Sequence, residues 1–208
     1  MIFTAIPLEG AFVIEPEPFE DARGVFVRTW CQREFEARGL ETRIAQCSTS
    51  WNKRKGTLRG MHYQVPPHAE TKVVRCTRGS AYDVIIDLRP DSPTFTRHFC
   101  IVLTADNRKM VYVPAGFAHG FQTLEDETEL FYQISEFYSP AYSRGLRWDD
   151  PAFGIAWPDD ERIIVDHDRN HPAFCPEMFT ARGQAPTGRR RRRGRDETVQ
   201  ASRSSSTR

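Results

Sequence analysis

Alternation of apolar and polar positions with period two runs through most of the chain. Val84, Ile86 and Leu88 alternate with Asp83, Ile85 and Asp87, and Leu130, Tyr132 and Ile134 alternate with Phe131, Gln133 and Ser135. Successive side chains of an extended strand point to opposite faces, so these runs predict strands, and Met110 to Val113 predicts a further short apolar one. Gly79-Ser80, Asp106-Asn107 and Glu125 to Glu127 read as the turns between them. The stretch "TLRGMHYQVPPHAETKVVRC", Thr57 to Cys76, reads as two more short strands separated at the prolines. One segment has a helical pattern: "CQREFEARG" predicts a helix over Cys31 to Arg38, with Gly39 placed to stop it. Many short strands, few helices, no βαβ rhythm and no internal repeat predict an all-β antiparallel sandwich or barrel.

Length and composition narrow this picture. A chain of 208 residues is long enough for one domain with a sizeable core. The start "MIFTAIPLEGAFVIEPEP" has no basic, apolar and small-residue leader pattern, and no run approaches the roughly 18 apolar residues of a membrane span. A soluble cytoplasmic protein without a membrane partner is the expectation. Five scattered cysteines without a CxxC pair argue against a disulfide framework or a zinc knuckle and fit a reducing compartment. The net charge of +1 divides unevenly: the segment from Gly183 to Arg208 carries eight arginines against Asp196 and Glu197, or +6, which leaves −5 for residues 1–182. With so few aliphatic residues that segment cannot offset the entropy of ordering, so a disordered Arg-rich tail over 183–208 is expected after a folded domain over 1–182. RNA, anionic lipid or an acidic protein would each suit five consecutive arginines, and the sequence does not choose among them.

Candidate chemistry begins with His62 and Lys72, a neutral-range base and a fixed cation ten residues apart on predicted strands. Lys72 shares its face with Val74 and Cys76, so it can look inward among apolar neighbours. The segment "VPAGFAHGFQT", Val113 to Thr123, has the Pro-x-Gly-x-x-His arrangement of the second cupin motif, which delivers His119 to a barrel mouth. Metal-binding cupins add a His-x-His pair and a glutamate. Here Gln64 follows His62 by two places, and although position 68 is another histidine, no glutamate stands at ligand spacing with His62 and His119, so no metal is expected.

Four further segments make a resemblance specific. "GTLRGMHYQ", "KVVRCTRGSAYDVIIDLRPDSPTF", "VPAGFAHGFQTLEDETELFYQ" and "RWDDPAFGIAWP" resemble the dTDP-4-dehydrorhamnose 3,5-epimerase family, cupin-type sugar-nucleotide epimerases. With weaker similarity at "FEDARGVF" and "VDHDRNHP", it covers roughly residues 1–175 and leaves the basic tail outside. The resemblance implies an antiparallel β-barrel or jelly roll of cupin type, a homodimer whose N-terminal segment reaches the partner's sheet or site, a nucleotide-sugar substrate and no cofactor. It also implies a base at His62, partnered by Asp168 or the nearby Asp166, an enolate-stabilising cation at Lys72, and an opposing acid at Tyr132. Arg23, Phe26, Gln46, Ser48, Arg59, His119 and Tyr138 match positions that bind the substrate. Strict alternation would put Arg59 on the strand face opposite His62 unless Gly60 bulges. The chain departs from the family where Arg28 stands for a common glutamate and where "QCSTSWN" replaces a Gln-Asp-Asn-His-Ser run. Those positions touch the nucleotide rather than the reacting carbons, so the identity of the nucleotide and sugar stays open. The alternatives are an epimerase that inverts only C3 or only C5, or acts on another 4-ketosugar nucleotide, and a non-catalytic sugar-nucleotide-binding cupin.

Overall fold

A computed structural model describes residues 1–158 and 161–179; the predicted tail lies outside the described residues. Thirteen strands follow in order: β1 Ile2–Ala5, β2 Phe12–Glu15, β3 Pro18–Asp21, β4 Gly24–Val27, β5 Gln46–Asn52, β6 Leu58–Gln64, β7 Lys72–Arg78, β8 Ser80–Asp87, β9 His98–Thr104, β10 Met110–Val113, β11 Phe117–Thr123, β12 Thr128–Ile134 and β13 Ser143–Gly145. Two short helices, α1 Gln32–Glu36 and α2 Asp166–Arg169, and a 3-10 turn at Pro176–Met178 complete the described elements. A six-stranded sheet in the order β1-β2-β10-β7-β12-β5 faces a five-stranded sheet in the order β13-β6-β11-β8-β9, and β3-β4 forms a separate hairpin. Every named strand pair is antiparallel. This is the expected cupin-type jelly roll.

The period-two pattern sorts residues into three apolar layers. Val74, Cys76, Ile85, Val111, Phe121 and Leu130 fill the space between the sheets. On β8 the neighbours of Ile85 face the other way: Val84 and Ile86 pack under Phe153, Trp157 and Phe179 of the C-terminal segment. Both faces of β8 are therefore buried, which explains why its apolar positions run together instead of alternating cleanly with polar ones. The outer face of the six-stranded sheet, through Val73, Met110 and Tyr112, buries Phe35 of α1. At about 25 cal/mol per Å² of apolar surface removed from water, a fully buried phenylalanine contributes on the order of 2–3 kcal/mol, enough to hold a helix too short to persist alone.

That helix is shorter than its sequence pattern. The bonds beyond Glu36 tighten into a turn, with Arg38 N–H donating to the Phe35 carbonyl at 3.0 Å and Gly39 N–H to the Glu36 carbonyl at 2.9 Å. Gly39 then takes φ +66°, the left-handed conformation that ends helices cheaply only at glycine.

Candidate active site

The site is built where β6 breaks its alternation. In the β6–β11 ladder His62 pairs with His119 and Arg59 with Phe121, so two residues of β6, Gly60 and Met61, oppose Gly120 alone. Gly60 sits at φ +118°, and a Cβ there would strike the β11 backbone at Gly120 and His119. Glycine is thus required both by conformation and by space. The bulge resets the parity: Leu58 and Met61 face the outer apolar layer, while Arg59 and His62 both line one cavity of about 510 Å³ between the sheets.

His62 Nε2 lies 2.9 Å from Asp168 Oδ1, and Asp168 Oδ2 accepts the Gly60 N–H at 3.0 Å. Burial pushes the Asp168 carboxyl up, but the hydrogen bonds from His62 and Gly60 and the nearby histidines outweigh it and hold the group below its ordinary value. An ionised carboxylate only accepts, so Nε2 carries the proton and the free lone pair of His62 is on Nδ1. The alternative partner, Asp166, points away: its side chain is 89 % exposed beside Arg169.

The other predicted groups converge from the opposite sheet. Lys72 and Tyr132, on adjacent strands β7 and β12, line the same cavity as His62. Lys72 Nζ pairs with Glu70 Oε1 at 2.8 Å with both side chains largely buried, and Gln64 Nε2 donates to Glu70 Oε2 at 3.0 Å. Burial pushes the Tyr132 phenol far up, reinforced by Asp83 and opposed by Arg59, so it stays a proton carrier at neutral pH. Beneath it a second buried pair joins His119 Nε2 to Asp83 Oδ2 at 2.7 Å, with the His119 ring 5.9 Å from that of Tyr132. Gln46, Ser48 and Tyr138 border the cavity, where Gln46 Oε1 accepts the Tyr138 N–H at 2.6 Å and Arg59 Nε donates to Asn52 at 2.7 Å.

Two predicted residues are elsewhere. Arg23 and Phe26 belong to the β3–β4 hairpin, with the Arg23 side chain 88 % exposed and Phe26 74 % exposed; neither lines the cavity. Three groups escaped the sequence reading. Glu70 could have been found by its place two residues before Lys72, and Asp83 by its charge inside an apolar strand. His171 had only its spacing of three from Asp168 to mark it; its Nε2 lies 3.6 Å from Asp168 Oδ1. Burial lowers the His171 pKa, with His62 adding to the effect, Asp168 opposing it and His167 lowering it slightly. With His171 in place, His62, Asp168 and His171 offer donor atoms within 4.8 Å of one another, a set different from the His62 and His119 pair weighed in the sequence.

The arrangement sets a base on one sheet against a cation and a protonated phenol on the other, which is the equipment for removing a proton from one side of a carbon and returning one to the other. Among the described residues no helix is long and apolar enough to cross a membrane. A family model for dTDP-4-dehydrorhamnose 3,5-epimerase matches residues 5–175. The chain is 38 % identical over 176 residues to a dTDP-4-dehydrorhamnose 3,5-epimerase of Sinorhizobium fredii, covering 84 % of this chain and 90 % of the relative. A crystal structure of the Bacillus anthracis dTDP-4-dehydrorhamnose 3,5-epimerase with TDP and PPi bound superposes with a TM-score of 0.81 at 38 % identity, covering 83 % of this chain and 99 % of that one. ChmJ, a 3'-monoepimerase from Streptomyces bikiniensis in complex with dTDP-quinovose, gives 0.76 at 36 % identity over 81 % and 85 % of the two chains. This chain belongs to the dTDP-4-dehydrorhamnose 3,5-epimerase family.

Proposed function

We propose that the protein converts dTDP-4-dehydro-6-deoxyglucose to dTDP-4-dehydrorhamnose by inverting C3 and C5. The observation that carries this is the His62–Asp168 pair at 2.9 Å on one sheet facing Lys72 and Tyr132 on the other. His62 Nδ1 takes a proton from a carbon flanking the ketone, and the electron pair moves onto the ketone oxygen. Lys72 holds the resulting enolate charge, its own position fixed by Glu70. Tyr132 then delivers a proton to the opposite face of the same carbon, the ketone re-forms, and solvent restores both groups. No electron leaves the sugar, so the cycle needs no redox cofactor. Arg59 binds the nucleotide diphosphate, Gln46 and Ser48 the nucleotide, and His119 and Tyr138 complete the lining of the substrate cavity.

The active unit in this reading is a homodimer. Arg23 offers a guanidinium fork suited to phosphate oxygens, and Phe26 an apolar ring, yet both project from a hairpin away from their own cavity. A partner's cavity is the destination that uses them. Cytoplasmic residence fits the five thiols, none of which is bonded. The comparable likeness to a 3'-monoepimerase keeps a second reading, inversion at C3 alone, and the same assay separates the two. Purified protein is incubated with dTDP-4-dehydro-6-deoxyglucose and the product resolved by NMR. Conversion to the rhamno configuration, abolished in His62→Ala, supports the proposal; a product inverted only at C3 selects the second reading, and no conversion by folded wild type refutes both.

A further inference from the structure

We propose that His62 Nε2, Asp168 Oδ1 and His171 Nε2 form a site for a divalent transition metal of the Zn²⁺ class, and that filling it switches the base off. Three observations carry this. The donor atoms lie within 4.8 Å of one another; two of their separations, 2.9 and 3.6 Å, lie near the roughly 3.3 Å edge of a tetrahedron with metal–ligand bonds of about 2.0–2.1 Å, and the remaining His62–His171 pair must draw in to that spacing when a metal binds. The His171 side chain is nine-tenths buried, yet its Nε2 has no hydrogen-bond partner and is directed at Asp168. A buried nitrogen left unpaired costs free energy unless something completes it.

The pocket that holds the ring is shaped for it. A Cβ at position 145 would overlap the His171 imidazole, and Gly145 is the residue of β13 paired directly with His62. Gly145 has no left-handed backbone to explain it, since its φ lies outside that region; the space it leaves is what lets the third donor reach the pair. The Gly60 N–H on Asp168 Oδ2 fixes the carboxylate and leaves Oδ1 to the shared point, the kind of supporting contact that orients metal ligands.

Two histidines and one carboxylate suit Zn²⁺, and they also suit Co²⁺. The consequence for the proton-transfer site is tautomeric. A metal on Nε2 of neutral His62 moves the ring proton to Nδ1, the nitrogen that otherwise carries the lone pair, so the base is lost while the fold is unchanged. This regulatory half rests on the function proposed above; metal binding itself does not.

Metal-free full-length protein is titrated with Co²⁺, and uptake is followed through its visible absorption bands. One equivalent per chain is expected, weakened more than about 100-fold in His171→Asn, since loss of a ligand exceeds the effect of losing a supporting contact, and weakened also in Gly145→Ala, where the ring must leave. Selective perturbation of the His62 and His171 ring signals by Co²⁺ in wild type reads the same contact without any substitution, which decides the matter should either variant misfold. No uptake by wild type, unchanged uptake in folded His171→Asn, or unperturbed His62 and His171 signals overturns the site. In a second arm, Zn²⁺ abolishes solvent exchange into substrate in proportion to occupancy, chelator restores it, and the turnover that His171→Asn retains, whatever its level, does not change with Zn²⁺. Metal bound with turnover intact overturns the switch, whereas a protein inactive even without metal contradicts the proposed function and leaves the Co²⁺ result standing.

Discussion

Asp168→Asn probes the link between fold and chemistry most finely, because it changes one oxygen into an amide nitrogen at the point where both meet. In wild type Oδ2 accepts the Gly60 N–H at 3.0 Å and Oδ1 accepts from His62 Nε2 at 2.9 Å. Asparagine keeps the bond from Gly60 only with its oxygen there, which turns its NH₂ toward His62. The amide then donates to Nε2, the imidazole proton moves to Nδ1, and the lone pair points at the wrong partner. Losing a charge-assisted hydrogen bond costs about 1.5–3 kcal/mol, and losing the general base outright costs about 10²–10⁴-fold in rate; with the tautomer inverted the second figure governs kcat. Stability should move in a pH-dependent way. The folded-state carboxyl is held below its ordinary value, so it contributes stability that is present above the ordinary carboxylate range and lost as pH falls through the folded value. The variant lacks that acid limb. The assay is turnover with deuterium exchange, run also in a His62→Ala background, where Asp168→Asn should add little because it acts through the imidazole. Turnover within about threefold of wild type, a difference under about 1 kcal/mol, or an equal loss in the His62→Ala background, would show that Asp168 does not act by setting the His62 tautomer.

Tyr132→Phe leaves base and cation in place, so exchange at the abstracted position should continue while inversion falls about 10²–10⁴-fold; equal loss of both, read by NMR in deuterated water, would mean that Tyr132 acts before the enolate forms. Burial pushes the Tyr63 phenol up to about 12, with Arg144 opposing. Above pH 10 the unfolded chain gives up that proton while the folded one keeps it, so stability should fall by about 2–3 kcal/mol between pH 10 and 12, at about 1.4 kcal/mol per unit; urea unfolding of Tyr63→Phe should show a shallower decline. Removal of residues 183–208 should leave turnover and melting temperature nearly unchanged, and a large fall in melting temperature by calorimetry would show that the tail docks on the domain. Chelation of the purified protein should not lower turnover, and activity restored by one added divalent ion would make metal part of the reaction.

The strands were legible because burial imposes period two, and the inward faces of Lys72 and Tyr132 followed from their neighbours Val74 and Leu130. Arg59 was legible only conditionally. Alternation puts it opposite His62, and one extra residue at Gly60 reverses that, a backbone event that a glycine permits without announcing. Helix α1 was overextended because propensity runs on through "ARG" whereas packing secures only Phe35. Asp168 was separable from Asp166 only by which of two nearby carboxyls turns inward on a four-residue helix. Asp83 was missed because its partner, His119, is 36 residues away; Glu70 and His171 lie close in sequence to Lys72 and Asp168, but outside any strand alternation that would show which way their side chains turn. Arg23 and Phe26 mark a different limit, since their proposed role needs a second copy of the chain.

Epimerisation by this site requires that a proton leave and return at carbons flanking a ketone. Proton NMR of dTDP-4-dehydro-6-deoxyglucose incubated with the enzyme in deuterated water tests it most directly. Deuterium is expected at both C3 and C5 of a rhamno-configured product, and at neither when His62→Ala replaces the wild type. Product formed without deuterium at either carbon would contradict it.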